Sequence, residues 1–286
     1  MRGKFRLDNT KLTNPVAVGD HVVLEKEANQ DTYSINQILP RRNYVVRSDP
    51  HKKAYTHIIA ANIDNAIIVA TIAYPRTSTG FIDRMLTVCE AYHIRPIIVF
   101  NKIDLYNDKE TSKLNDYTES YRSVGYTVIH TSTVNHVGLA ALHLHIKQKI
   151  NLLCGHSGVG KSATMNVIYP TLNLRIGSIS NFSGKGMHTT TFAEWFNLGD
   201  GGAVIDTPGV KELGLSDMQP GELSTYLPDL HDAAKQCRYN SCLHANEPDC
   251  GVKRAVEAGS ISMLRYNGYL SMLGELQLGL KKWQKK

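Results

Sequence analysis

Residues 155–162 read Gly-His-Ser-Gly-Val-Gly-Lys-Ser, the spacing G-x-x-x-x-G-K-[ST]. Glycines let the backbone wrap closely, so that its N–H groups and the positive end of the following helix can surround an anionic phosphate. Lys161 adds charge and the Ser162 hydroxyl can reach magnesium. The apolar run Asn151-Leu-Leu-Cys154 directly before the glycines supplies the strand that such a turn needs. Gly155, His156, Ser157, Gly158, Val159, Gly160, Lys161, Ser162 and Ala163 are therefore the candidate phosphate cradle, with Lys161 also a catalytic candidate and Ser162 the magnesium ligand. The pattern by itself does not choose between ATP and GTP.

A second cluster carries different chemistry. Cys237-x4-Cys242-x-His244-x5-Cys250 offers three thiolates and one imidazole within fourteen residues, enough to close one tetrahedral zinc site with no open position. A closed site is structural, ordering a segment that has little core of its own. Buried thiols without a metal are the plain alternative. Cys89, on an amphipathic run, and Cys154, at a strand end, are expected to serve packing.

Asn101-Lys102-Ile103-Asp104 follows the strand-like run Pro96–Phe100 and resembles the N-K-x-D guanine-reading motif of GTPases. There the carboxylate accepts from both N1–H and the exocyclic amine of guanine; adenine would leave it unpaired, at ~1–3 kcal/mol. The resemblance makes Asn101 a brace for the loop and packs the Lys102 stem on the purine. Asp206-Thr-Pro-Gly209 resembles D-x-x-G, in which the aspartate holds a magnesium-bound water and the glycine N–H senses the γ-phosphate. Between this and the phosphate loop lies Lys185-Gly-Met-His-Thr-Thr-Thr191, a candidate switch segment in which Thr190 is the candidate magnesium contact. Thr131-Ser132-Thr133 stands where a backbone contact to guanine O6 is expected. Ordinary GTPases place the phosphate loop first and the guanine motif late; here the guanine motif precedes it, so the domain reads as circularly permuted.

The elements that must position these groups follow from pattern and composition. The chain has 286 residues, 42% of them hydrophobic and 20% charged, which excludes disorder, collagen and coiled coil. No apolar run approaches the ~18 residues of a membrane span, and the N-terminus lacks the apolar core of a secretory signal, so a cytoplasmic, non-membrane protein is expected. A net charge of +6 modestly favours a polyanionic partner. Short alternating runs over 1–48 predict a small β module, followed by a polar, basic linker. Residues 60–214 alternate strands (Ala66–Ile72, Pro96–Phe100, Thr127–His130, Asn151–Cys154, Gly202–Ile205) with helix-length segments, the mark of an α/β fold with a parallel sheet. Residues 215–286 read as a helical, metal-binding region with helices near Pro220–Gln236, Val252–Ala258 and Ile261–Leu280.

Taken together, the β module with Gly3-Lys-Phe-Arg6 and Val18-Gly-Asp20, the permuted GTPase motifs and the metal pattern resemble the RsgA (YjeQ) family over nearly the whole chain. The resemblance implies an OB-type barrel that binds 16S rRNA, GTP and GDP as ligands with magnesium, slow hydrolysis stimulated by the 30S ribosomal subunit, and a role in late 30S maturation. A monomer is expected. Two departures stand out. The first 48 residues are short for a five-stranded barrel, so the barrel is expected to be incomplete or the chain to start late. Val210 occupies the position where many GTPases place a water-orienting Gln, and His188 is the candidate replacement, the alternative being a surface histidine in a mobile loop. RNA contacts would come from Lys4, Arg6, Arg41, Arg42, Arg47, Lys52 and Lys53, with Phe5 and Tyr44 able to stack. Lys281, Lys282, Lys285 and Lys286 around Trp283 form a second basic patch. Competing readings are an RNA-binding zinc protein whose guanine nucleotide site is regulatory and does not turn over, and a P-loop phosphotransferase acting on a small metabolite.

Overall fold

A computed structural model describes residues 15–27, 31–48, 56–174, 193–207, 215 and 218–283. Its centre is a six-stranded sheet of β5 (Asn65–Ala70), β6 (Arg95–Phe100), β7 (Thr127–His130), β8 (Ile150–Cys154), β9 (Glu194–Asn197) and β10 (Ala203–Asp206). The spatial order is β7-β6-β5-β8-β10-β9, and every pairing is parallel except β9 against β10. Every residue of β5 is buried, as expected of a strand covered on both faces. Alternate residues feed two cores. Ala66, Ile68 and Ala70 face α1 (Thr79–Ala91) and α2 (Asp108–Arg122), whereas Ile67 and Val69 face α3 (Leu139–Ile146) and α4 (Lys161–Ile168).

The permuted order is visible in the connections. Three residues, Lys147 to Lys149, carry the chain from α3 into β8, which enters the middle of the sheet between β5 and β10. Asp64 fixes this entry: its carboxylate accepts from the Ile150 N–H at 2.8 Å, and its own N–H donates to the Ile150 carbonyl at 2.8 Å.

The expected β module contains two antiparallel pairs, β1 (Val22–Lys26) with β2 (Tyr33–Ile38) and β3 (Tyr44–Ser48) with β4 (Thr56–Ala61). Strand β4 lies beyond the polar stretch read as a linker, so that stretch joins two paired strands. Arg41 makes a two-pronged bond to Asp20, Nε to Oδ1 at 2.6 Å and Nη2 to Oδ2 at 2.7 Å, and also donates to the Pro15 carbonyl. With its side chain 16% exposed, Arg41 braces the module from within. Arg42 stays more open but bonds Asp64 at 2.8 Å, and the Tyr44 ring packs 5.5 Å from that of Tyr92. Asn43 pairs with the Ile63 backbone in both directions at 2.8 Å, fastening the module to the approach of β5. Residues 1–14 and 49–55, with Lys4, Phe5, Arg6, Lys52 and Lys53, lie outside the described residues, as do the side chains of Arg47, Lys281, Lys282 and Trp283 and the whole of Lys285 and Lys286.

Beyond the sheet the expected helix Pro220–Gln236 is divided. A 3₁₀ turn at Leu223–Tyr226 ends at extended Leu227, and Pro228 opens α5 (Pro228–Ala234). Proline suits the first turn of a helix but disfavours helical geometry in the residue before it. Helices α6 (Gly251–Glu257) and α7 (Met263–Trp283) follow, and none of the described helices is long and apolar enough to cross a membrane.

Helix α7 packs along α1 through a buried ion cluster. Arg265, 1% exposed, donates to Asp83 at 2.5 Å and bonds both oxygens of Asp229 at 3.0–3.1 Å. The rings of Tyr121 and Tyr126 lie 5.8 and 5.7 Å from the guanidinium carbon. Burial pushes the Asp83 carboxyl up to about 6, against the pull of Arg265. Removing one member of such a cluster leaves an uncompensated buried charge, at roughly 3–5 kcal/mol. Arg265→Ala is expected to lose about that much stability in urea unfolding, and Arg265→Lys, which cannot span both aspartates with a planar fork, to recover less than half of it.

Candidate nucleotide site and metal centre

The C-terminal ends of β5, β6, β7, β8 and β10 converge on one edge of the sheet, the edge where open α/β sheets bind ligands. The phosphate-loop sequence connects β8 to α4 there, with Lys161 the first helical residue and Ser162 and Ala163 in the first turn. Two glycines are required by close approach. A Cβ on Gly155 (φ +145°) would lie 2.4 Å from the Val69 carbonyl oxygen, and one on Gly160 (φ +97°) would lie 2.3 Å from Asn101 Nδ2. Ser157 at the loop's apex is exposed and Val159 is wholly buried; the His156 ring packs 4.2 Å from that of Phe81.

Asn101, at the end of β6, is 1% exposed and joins three loops. Its Nδ2 donates to the Val159 carbonyl at 2.9 Å and its Oδ1 accepts from Thr131 Oγ1 at 2.9 Å. The base-reading sequence and the phosphate loop, 58 residues apart, are thus clipped together by one amide. Lys102 sits in left-handed backbone, φ +63°, and its Nζ donates to the Gly158 and Tyr74 carbonyls, each at 2.7 Å. Ile103 and Asp104 open a 3₁₀ turn ending at Leu105; the Ile103 N–H donates to the Thr131 carbonyl, and the Asp104 side chain faces solvent. Thr131, expected to offer backbone to a base, contributes its side chain to holding Asn101.

Lys161 folds back so that Nζ donates to the carbonyls of Gly155 at 2.9 Å and His156 at 3.1 Å. Burial draws its ammonium below the usual lysine range, opposed by the charge of Asp206. Asp206 closes β10 beside Leu153 of β8, and burial raises its carboxyl, opposed by Lys161. Each charge thus favours the ionised form of the other, while Lys161 Nζ itself bonds the Gly155 and His156 carbonyls. His188, Thr190, Gly209 and Val210 lie outside the described residues. Tyr106, which the sequence reading passed over, contributes a hydroxyl that bonds both Asn101 and the turn after β5; its partner in that turn is 34 residues away, so no local pattern could have marked it.

At the far side of α7 the four residues Cys237, Cys242, His244 and Cys250 come together, their ligand atoms all within 4.8 Å of one another. Cys237 Sγ is 3.8 Å from Cys250 Sγ and 3.4 Å from His244 Nδ1, and Cys250 Sγ is 3.5 Å from His244 Nδ1. Ligands at bond lengths of about 2.3 Å for sulfur and about 2.0 Å for nitrogen around a tetrahedral ion lie roughly 3.5–3.8 Å apart, so these residues fit a four-coordinate metal. The backbone is held to match. Glu247 accepts from the N–H groups of Leu243, Ala245 and Asn246, and the hydroxyls of Tyr266 and Tyr269 on α7 donate to the carbonyls of His244 and Leu243, each at 2.7 Å.

A sequence model of the family described as RsgA GTPase matches residues 38–216. The small ribosomal subunit biogenesis GTPase RsgA 2 of Bacteroides thetaiotaomicron is 42% identical over 281 residues, covering 98% of this chain and 90% of its own length. The small ribosomal subunit biogenesis GTPase RsgA of Flavobacterium psychrophilum is 43% identical over 275 residues, 96% of this chain and 84% of its own. Among solved structures, YjeQ from Thermotoga maritima superposes with a TM-score of 0.78 at 36% identity, over 96% of this chain and 88% of that one. YloQ, described as a circularly permuted GTPase, gives 0.71 at 29% identity, over 96% and 84%.

The amide clip can be tested without disturbing shape. Thr131→Val keeps the volume but leaves the buried Asn101 Oδ1 without that donor, a loss of about 1–3 kcal/mol. Urea unfolding should report the lost stability, and calorimetric titration a weaker nucleotide affinity; unchanged affinity would show that the clip is not needed for binding.

Proposed function

The chain belongs to the RsgA GTPase family, a GTPase of small ribosomal subunit biogenesis, and from that membership we propose how its site binds and turns over GTP. The backbone of Gly155 to Ala163 cradles the phosphates, and Lys161 neutralises charge on the β- and γ-oxygens. Asp104 reads the guanine edge, Lys102 lies along the purine, and Asn101 with Ile103 holds the loop in place. Magnesium bound with GTP supplies further neutralisation of the phosphate oxygens; Ser162 and Thr190 would hold it, with Asp206 binding through a water and Gly209 contacting the γ-phosphate. The observation that carries this reading is the Asn101 amide, bonded to Val159 of the phosphate loop on one side and to Thr131 on the other.

Val210 cannot orient a water, so the polar group for hydrolysis is His188, acting when the chain is bound to the 30S particle. Hydrolysis is accordingly slow alone and fast on the 30S subunit, where the β module contacts 16S rRNA. The protein acts as a cytoplasmic monomer. Residues 237–250 hold one structural zinc. A regulatory site without turnover is the weaker reading, because Lys161, Ser162 and Asp206, the groups that hydrolysis needs, are all present.

Three measurements test the proposal. GTP hydrolysis should rise strongly when vacant 30S subunits are added, and His188→Ala should remove most of that rise while leaving GDP affinity near wild type; no stimulation of the wild type would overturn the ribosomal activation. Asp104→Asn should transfer preference from guanine to xanthine nucleotides by about 1.4–3 kcal/mol, a factor of roughly 10 to 150. Metal analysis should find one zinc per chain, and a strong chelator should lower the thermal midpoint by destabilising the C-terminal region.

A further inference from the structure

Among the described residues, one hydroxyl near the site belongs to neither the phosphate loop nor the base-reading motif, yet touches the backbone that positions both. Tyr106 donates to the Asn101 carbonyl at 2.7 Å and accepts from the Ile72 N–H at 2.8 Å. The Ile72 end is itself a closed turn. Thr77 N–H donates to the Thr71 carbonyl at 2.9 Å, Thr71 N–H donates to Thr77 Oγ1 at 3.1 Å, and Thr71 Oγ1 donates to the Pro75 carbonyl. From this turn the Tyr74 carbonyl reaches out to accept from Lys102 Nζ, which also donates to Gly158 of the phosphate loop.

We propose that Tyr106 is a positioning residue for guanine nucleotide binding. Its hydroxyl closes a ring of hydrogen bonds running from Asn101 through the Thr71–Thr77 turn to Lys102, the phosphate loop, and back to the Asn101 amide through Val159. The ring matters because Lys102 holds a left-handed backbone at φ +63°, a conformation that non-glycine residues keep only when their surroundings enforce it. Tethering the carbonyl of the residue before it is one such enforcement. Burial pushes the Tyr106 hydroxyl up to about 12, so it remains a donor throughout the working pH range. The inference rests on the guanine reading of Asn101 to Asp104, and it adds that the affinity of that motif depends on a turn from a different strand. A ring that pre-forms the site raises affinity by the fraction of molecules already in the competent arrangement.

The test uses the full chain with the Tyr106→Phe variant. The dissociation constant for GDP is expected to rise about five- to tenfold, and KM for GTP by the same factor, with kcat within twofold of wild type and only a modest fall in the thermal midpoint from the unpaired Ile72 N–H. A role in general packing would instead lower the thermal midpoint and kcat together, and that result overturns the proposal, as does wild-type GDP affinity in a folded variant. Combining Tyr106→Phe with Lys102→Ala gives a second reading: if the tyrosine acts through Lys102, the double variant binds GDP no worse than Lys102→Ala alone, and multiplying effects overturn it. Should Tyr106→Phe not fold, Thr77→Val loosens the same turn from its far side; a weaker GDP affinity supports the ring and an unchanged one overturns it. Asp104→Asn separates the two ideas. If it switches base preference while Tyr106→Phe binds GDP normally, only the ring fails; if it leaves guanine preference intact, the guanine reading itself fails.

Discussion

One buried side-chain amide, that of Asn101, constrains the geometry of everything around the site. A group with two donors and an acceptor, placed where water cannot reach, must find partners or cost the fold its desolvation. Asn101 finds them in the phosphate loop and in the loop after β7. The requirement then runs outward. Gly160 has no side chain because the space its Cβ would fill is already held by Asn101 Nδ2, and Gly155 has none because Val69 of the central strand lies against it. The glycine spacing of the phosphate loop therefore answers to the protein's own packing as well as to phosphate.

Helix α1 carries this rigidity away from the site. Ser78 caps its N-terminus directly after the Thr71–Thr77 turn, and one turn further on Asp83 grips Arg265 of α7. The same α7 supports the metal centre through Tyr266 and Tyr269. Packed elements thus connect the Thr71–Thr77 turn to the Cys-His cluster without a flexible linker between them. Buried ion clusters of this kind add little net stability compared with apolar packing of the same volume, but misplacing one charge is costly, which suits a cluster that fixes the orientation of two helices.

The sequence makes the central strands legible because they are buried on both faces and end in turn-forming residues; the five anticipated strands agree with the observed ones to within about two residues at either end. Strand β9 escaped because Glu194-Trp-Phe-Asn197 is short and exposed on most of its length, so it has neither an apolar run nor an alternation to detect. Strand β4 escaped because its partner lies across a polar stretch. The break at Pro228 was marked by a residue that starts helices readily and continues them badly. At the site, motif spacing identified the residues that meet, but not what holds them: Arg41 reads as a surface charge until Asp20 is placed beside it, and Tyr106 has no local signature because its partners come from separate strands. Clusters of cysteine and histidine are legible for the opposite reason, since their four ligands lie close in sequence as well as in space.

The entry of β8 into the middle of the sheet also sets a schedule. During synthesis β5, β6 and β7 emerge first and can pair with one another, but the other edge of β5 waits for a strand that begins about 80 residues later. At roughly 5–20 residues per second this is an interval of about 4–16 s. For that time the edge of Asn65 to Ala70, apolar at every position after Asn65, stands unpaired, the kind of edge that recruits strands from other chains. The order of segments that makes this GTPase distinctive in sequence thus leaves the central strand half-paired until the phosphate-loop strand has been made.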